Sequence, residues 1–296
     1  MKINPNFVIE RSSSNKLFLS NRKNCKGYYI NLNQMDEKQL TTEKIDSLIS
    51  IGFYEEEKYK KPHFINNLIS FKKGINEKVL LRINILLMIL GTIITLITIY
   101  WAWPVLNSMS TVTIEKVEFL KAILIFMAGL IIIHEMFHVI SARMQLIEVY
   151  SIWFKLKYYF IPIFYVKIVP TGNDIKRANI AFAGNVADLL LIVTYSCALM
   201  ITEQPYWSVV LIFQIVMSIF NYNILFPTDF YLGLFSGIGK ATFRVKAIKF
   251  TKEWISRKVK IEGKQNVFQL IYGLAFYSML LTFLCSMIWN MSYWIR

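Results

Sequence analysis

The chain has 296 residues, 55% of them hydrophobic, and a mean hydropathy of +0.43. These values exclude an ordinary soluble domain and predict an α-helical, polytopic membrane protein. The formal net charge of +14 would fit a nucleic-acid-binding protein, but the basic residues border apolar segments, so we expect them to orient the chain in a membrane and expect no nucleic-acid partner. The three cysteines lie too far apart for a disulfide framework or a zinc ribbon, and no signal peptide is expected at the start of the chain.

Residues 1–78 are polar and carry 14 Lys/Arg and 9 Asp/Glu. Three short β-like runs at residues 7–9, 17–19 and 28–30 precede a helix-like run that starts at residues 41–43. This order predicts a small soluble α/β domain that recognises a substrate or partner. A plain cytosolic extension is the alternative.

Residues 79–296 form the predicted transmembrane domain, with about five membrane-spanning helices. Each predicted span is an apolar run of about 20 residues, the length that crosses a bilayer. The five runs lie at about residues 83–103, 119–140, 179–201, 206–226 and 267–289.

The stretch at residues 147–170 differs from these spans. It is aromatic and β-branched, and its unbroken apolar part, residues 158–166, contains Pro162 and is too short to cross a bilayer. We expect strands or a re-entrant hairpin associated with the membrane face, whose open edge can pair with an extended substrate. A loop that only rests on the membrane is the alternative.

The loops predict the orientation of the chain. Residues 143–178 carry 6 Lys/Arg and residues 228–266 carry 9, whereas residues 104–118 carry only Lys116 and residues 202–205 carry none. Because basic loops stay on the cytoplasmic side, we expect the N-terminal domain in the cytoplasm and the C-terminus outside, in a multi-pass protein of a bacterial cell membrane.

The second predicted span carries an H-E-x-x-H pattern formed by His134, Glu135 and His138. In an α-helix His138 lies about 40° round from His134 and one turn along, so both imidazoles share a face with Glu135. Two imidazoles at this spacing can bind one zinc ion, and the adjacent Glu can take a proton from an acidified water. The pattern can arise by chance on a soluble helix, but ionisable residues are costly inside an apolar span, and two of the three histidines of the chain lie here. We therefore predict a metal site of the hydrolytic type.

A hydrolytic zinc site needs three protein ligands. No further His lies in the membrane part, which leaves Asp229 and Asp188, because Glu135 is expected to act as the base. Asp229 follows Pro227 at a predicted helix end on the same side as His138, where an unwound backbone can direct its side chain inward. Asp188 lies deeper, in the third predicted span. An interfacial charge and an interhelical hydrogen bond are the respective structural alternatives, so both candidates stay open at this point.

Across about residues 119–232 the chain resembles the site-2 protease family of intramembrane zinc metallopeptidases. That family has H-E-x-x-H in one helix, then a strand-like membrane segment, an A-G-P-x-x-N-like helix and a later N-P-x-x-x-x-D-G motif. Asn223 and Asp229 match the Asn and Asp of the last motif, whereas Ile224 and Phe230 stand where Pro and Gly are usual. The resemblance implies that Asp229 is the third zinc ligand and that Asn223 contacts substrate or the developing oxyanion.

In the A-G-P-x-x-N-like helix Asn185 replaces the Pro and Asp188 replaces the Asn. Asp188 is then expected to lie close enough to hydrogen-bond an active-site group without binding the metal.

These observations together predict a zinc metalloendopeptidase in which His134, His138 and Asp229 hold Zn²⁺ and Glu135 activates water. The expected substrate is a membrane-anchored protein or a peptide precursor, and the lipid bilayer surrounds the enzyme. A non-catalytic metal-binding membrane protein, either a pseudoprotease or an immunity factor, is the main alternative. A metal transporter is a third class, which is disfavoured because the polar residues cluster on one side instead of following a path through several spans.

Overall fold

The structure is a computed structural model that describes residues 3–11, 16–31, 42–59, 61–109, 112–157 and 161–295. Helices dominate, and strands form two separate antiparallel sheets. The elements in chain order are β1 (Phe7–Arg11), β2 (Lys16–Asn21), β3 (Lys26–Asn31), α1 (Thr42–Ser50), α2 (Ile65–Leu68), α3 (Glu77–Met109), α4 (Lys116–Ala128), a π-helical turn (Gly129–His134), α5 (Glu135–Met144), β4 (Val149–Lys157), β5 (Ile161–Ile168), α6 (Asp174–Thr202), α7 (Pro205–Asn221), α8 (Asp229–Gly237), α9 (Phe243–Ile255) and α10 (Gly263–Ile295).

The N-terminal strands form a sheet in the order β1-β2-β3, and the three β-like runs of the sequence lie within them. Successive side chains of a strand point to opposite faces, so Phe7 of β1 and Leu19 of β2 lie on one face of this sheet. Phe7 and Leu19 pack on that face against Leu48 of α1 and Phe53, which together make a small core. Helix α1 begins at Thr42, inside the predicted start at residues 41–43.

Among the described residues, three helices are long and apolar enough to cross a membrane: Glu77–Met109, Lys116–Met144 and Asp174–Thr202. These include the first three predicted spans. Helix α7 reaches only from Pro205 to Asn221 and is a shorter apolar helix, so it ends before the predicted boundary at about residue 226. The fifth predicted span lies within α10.

Helix α6 is the centre of the helical part. The most apolar 18-residue window of α6 is 56% buried, against 17% in α3 and 11% in the helix that carries the H-E-x-x-H pattern. Asn173 fixes where α6 begins, because its Oδ1 accepts hydrogen bonds from the backbone N–H of Ile175 and Lys176 at 2.9 and 3.1 Å. The π turn and the helices α5, α7 and α8, which carry the residues of the candidate site described below, all contact this buried helix.

Strands β4 and β5 form a hairpin that pairs Ile152 with Val166, so the strands expected within residues 147–170 are confirmed. The N-terminal sheet is docked at the base of this hairpin. Arg22 donates two hydrogen bonds to Glu148, from Nε at 2.7 Å and from Nη2 at 3.0 Å. This bond to Glu148 raises the pKa of the Arg22 guanidinium above its ordinary value.

A second contact lies on the other side of the hairpin. Glu10 Oε2 accepts hydrogen bonds from Thr171 Oγ1 at 2.8 Å and from the backbone N–H of Gly172 at 2.9 Å. Together with the Arg22–Glu148 pair, this contact connects the N-terminal sheet to both strands of the hairpin at its base, just before β4 and just after β5. The hairpin in turn lies beside α5.

Candidate metal centre

The H-E-x-x-H residues lie where the π turn Gly129–His134 passes into α5. The uninterrupted α-helix assumed from the sequence is therefore wrong at this point, because His134 closes a π-helical turn. From His134 onward the backbone is regular, and His138 follows one α-helical turn later on the same side. The imidazole centroids of His134 and His138 are 4.9 Å apart.

Three ligand atoms converge on one point. The His134 and His138 Nε2 atoms are 3.2 Å apart, and Asp229 Oδ2 lies 3.2 Å from the first and 3.3 Å from the second. Ligands about 2.0–2.1 Å from a tetrahedral zinc ion are roughly 3.3 Å from each other. The triangle therefore has the dimensions of a site for one small cation, and this group can hold a metal ion.

The hydrogen bonds behind the two imidazoles strengthen this conclusion. His134 Nδ1 bonds Asp188 Oδ1 at 2.9 Å, and His138 Nδ1 bonds the carbonyl oxygen of Ile180 at 2.7 Å. Both partners only accept, so in each neutral imidazole Nδ1 carries the proton and Nε2 carries the lone pair. Two nitrogen lone pairs and a carboxylate oxygen then face each other without a donor among them, an arrangement that a cation stabilises.

Asp229 reaches the triangle because α7 stops short. The chain leaves helical conformation after Asn221 and re-enters it at α8, where Thr228 caps the N-terminus and accepts a hydrogen bond from Tyr231 N at 3.3 Å. Asp229 is the first residue of α8, and its backbone N–H donates to Asn221 Oδ1 at 3.1 Å. The broken helix expected next to Pro227 is present and places this carboxylate beside both imidazoles.

Asp188 lies behind His134 and outside the triangle. It is 2% exposed, and three side chains donate to it. Besides His134, Gln214 Nε2 donates to Oδ1 at 3.2 Å, and Asn221 Nδ2 donates to Oδ2 at 2.8 Å. The residues alone left Asp229 and Asp188 open as third ligand. The geometry places Asp229 in the group that can hold a metal ion and places Asp188 behind His134, where it hydrogen-bonds Nδ1.

Glu135 is separate from the three ligand atoms. Its Oε2 accepts a hydrogen bond from the backbone N–H of Val166 in β5 at 3.2 Å. The same side chain lines two cavities that lie on either side of the triangle. The helix therefore holds a carboxylate that contacts strand β5 and lines both cavities.

Asn223 is placed differently from the expectation. Its Oδ1 accepts from Leu225 N at 2.9 Å and its Nδ2 donates to Met279 Sδ at 3.4 Å, so the side chain stabilises the loop and faces α10. Within the described ranges it does not line either cavity beside the triangle. The geometry gives no support to an oxyanion role for this residue.

The sequence reasoning missed two site residues of α7, Asn221 and Gln214. Asn221 bridges Asp188 and the backbone of Asp229, and Gln214 donates to Asp188, as described above. The available signal was two polar amides in a mostly apolar helix, since such residues are costly in a span and usually have a partner.

Comparisons of the chain with protein-family models, curated proteins and solved structures give no match.

Proposed function

We propose that this chain is a membrane-embedded zinc endopeptidase of the site-2 protease type. The observation that carries the proposal is the triangle of His134 Nε2, His138 Nε2 and Asp229 Oδ2, with Glu135 beside it on the same helix. Two imidazoles and one carboxylate are typical ligands of catalytic zinc, and three protein ligands leave one coordination position open.

Glu135 is the proposed general base. A zinc ion bound at the triangle supplies Lewis-acid chemistry, which acidifies water and polarises a carbonyl group. The Glu135 carboxylate takes a proton from the attacking water as the C–O bond forms. It then passes this proton to the amide nitrogen, which leaves as an amine when the C–N bond breaks. Asp188 and the carbonyl of Ile180 keep both imidazoles in one tautomer throughout.

The β4–β5 hairpin supports a peptide substrate in extended form. Asn66 already occupies the edge of β4 at Val149, with hydrogen bonds of 2.6 and 2.8 Å to its carbonyl and its N–H. Strand β5 instead faces Glu135 through the N–H of Val166. An extended peptide can bind a sheet edge through main-chain hydrogen bonds. A peptide added along β5 in this way would lie next to the proposed base.

A membrane location follows from the three long apolar helices, and the charge of the loops supports a cytoplasmic N-terminus with five spans in a bacterial membrane. Single cysteines at positions 252 and 202, in a chain without its native cysteines, test this orientation. A reagent that cannot cross the membrane should label position 202 and leave position 252 protected in intact cells. The reverse pattern would place the metal site on the opposite face.

The function is tested with three forms of the purified protein in detergent: wild type, Glu135→Gln and His138→Ala. We expect one zinc per chain in the first two and little in the third, because His138→Ala removes a ligand and Glu135→Gln does not. Only the wild type should release peptide fragments from membrane-delivered substrates. Full zinc occupancy in His138→Ala would refute the site.

A non-catalytic metal-binding protein is the second candidate, because it would hold a metal ion with the same three ligand atoms. It predicts that wild type and Glu135→Gln bind zinc equally and that neither cleaves. Comparing the peptides released by cells that carry either form separates the two candidates.

A further inference from the structure

Two cavities of 590 Å³ each lie on either side of the metal triangle, and both are lined by Glu135 and Asp229. One lies along β5, where Val166 and Ile168 form part of its wall. The other lies between α4 and α7. Glu135 and Asp229 therefore belong to the walls of two cavities of similar size.

The cavity between α4 and α7, which we call the apolar cavity, has mostly apolar walls. Its walls are aromatic, aliphatic and thioether side chains from facing helices: Phe126, Met127, Leu130, Ile131, Met217 and Phe220. Its polar lining belongs to the triangle and the residues around it.

The packing of the two helices explains why a gap exists there. Phe213 of α7 packs edge-on against Phe119 and at a tilt against Phe126 of α4, with ring centroids 6.2 and 5.7 Å apart. Beyond Phe126 the helices enclose the cavity, which reaches the metal triangle. Met217 and Phe220 are 41% and 49% exposed, so the cavity also opens sideways from the helix bundle.

We infer that the apolar cavity is a substrate-binding subsite that takes a large aliphatic side chain of the peptide next to the scissile bond. This inference rests on the proposed peptidase function and specifies its substrate. A leucine-like side chain there stays in apolar surroundings, whereas a carboxylate would lose its water without gaining a donor from these walls. The flexible thioethers of Met127 and Met217 can adjust to several aliphatic shapes.

The probe is a set of peptides of identical sequence that differ only by Ala, Leu or Asp at one position, offered to the zinc-loaded protein in lipid nanodiscs. Mass spectrometry locates the cleaved bond. We expect cleavage next to Leu with kcat/KM about tenfold or more above the Ala peptide, the discrimination typical of an apolar pocket, and no cleavage next to Asp.

Two variants test whether the apolar cavity causes this preference. Met127→Trp and Met217→Trp should each narrow it beside the metal site, so that the advantage of the Leu peptide over the Ala peptide falls severalfold. Ile219→Trp is the matched control, because Ile219 lies on the same helix but is 67% exposed and outside the cavity lining. Cleavage without preference, or a preference that both cavity variants keep, would overturn the subsite and leave the peptidase function standing.

A binding experiment separates the subsite from catalysis. A photo-reactive residue is placed at position 217 or 219 of the Glu135→Gln form, which binds zinc but should not cleave. The Leu peptide should cross-link at position 217 and not at 219, and the Asp peptide at neither. This cross-link in the absence of wild-type cleavage would support the subsite and refute the hydrolytic function, whereas a missing cross-link at 217 would refute the subsite.

Discussion

The backbone of Gly184 in α6 runs directly against the imidazole of His138. A Cβ atom at Gly184 would lie 2.6 Å from both His138 Cε1 and Nε2, and 2.9 Å from Asp229 Oδ2. These distances are shorter than non-bonded contact allows, so even a methyl group here would displace two of the three ligands. The buried helix thus forms one wall of the metal centre with its backbone.

Gly184→Ala should therefore weaken zinc binding by about tenfold or more, comparable to the loss of an orienting partner. Competition with a chelator measures the affinity. Gly237→Ala is the matched control, because a Cβ there meets only Ala178 Cβ at 3.9 Å. Equal zinc affinity in the two variants would show that the backbone of α6 can shift at Gly184 and accommodate a methyl group without displacing the ligands.

Asp229 and Asp188 should respond differently to substitution. Asp229→Ala should lose zinc and cleavage, because it removes a ligand. Asp188→Asn should keep one zinc per chain with affinity about tenfold to a hundredfold weaker, since the amide oxygen still accepts from His134 while the amide NH₂ faces a donor on Asn221. Zinc retained in Asp229→Ala but lost in Asp188→Asn would assign the third ligand to α6.

Asn221 should matter for metal binding, and the side-chain amide of Asn223 should not. Asn221→Ala leaves Asp188 Oδ2 and the Asp229 N–H without their partner, so zinc affinity should fall about tenfold. Asn223→Asp is the comparison, because it keeps the oxygen that accepts from Leu225 N. It should keep zinc affinity and cleavage. Loss of cleavage alone in Asn223→Asp would restore the oxyanion role that the resemblance implies.

The Arg22–Glu148 pair should control the stability of the hairpin. The two side chains are 18% and 29% exposed, so reversing one charge should cost about 1 kcal/mol and increase amide hydrogen exchange in β4 and β5. The double exchange Arg22→Glu with Glu148→Arg should restore most of the protection. Lys23→Glu serves as control, because exposed Lys23 pairs with Glu57 and not with the hairpin. Unchanged exchange in both single reversals would mean that the sheet does not stabilise the hairpin.

Periodicity and composition predicted the three N-terminal strands, the three long apolar helices and the strands within residues 147–170, because each has a strong local pattern. The convergence of His134, His138 and Asp229 followed from the resemblance, since the residues alone did not choose between Asp229 and Asp188. The end of α7 at Asn221 was missed because the apolar run continues beyond it, and hydropathy does not register where a backbone unwinds. The roles of Asn221 and Asn223 depend on which of two nearby amides turns toward Asp188, which only the fold decides.

The π turn at Gly129–His134 also sets the angular phase of the helix that carries the site. A π turn contains one more residue than an α-helical turn. The side chains of the preceding helix, α4, are therefore rotated by about 100° relative to those of a continuous α-helix. The outward stripe of α4, with Leu120 and Leu124 exposed, is therefore not continued in phase by α5. A helical wheel drawn through the whole segment would put Phe126 and Met127 on the wrong side. Deleting a single residue of the turn would rotate Phe126 and Met127 about 100° away from their present positions while His138 stayed in place, so the length of this turn fixes which side chains of α4 line the apolar cavity.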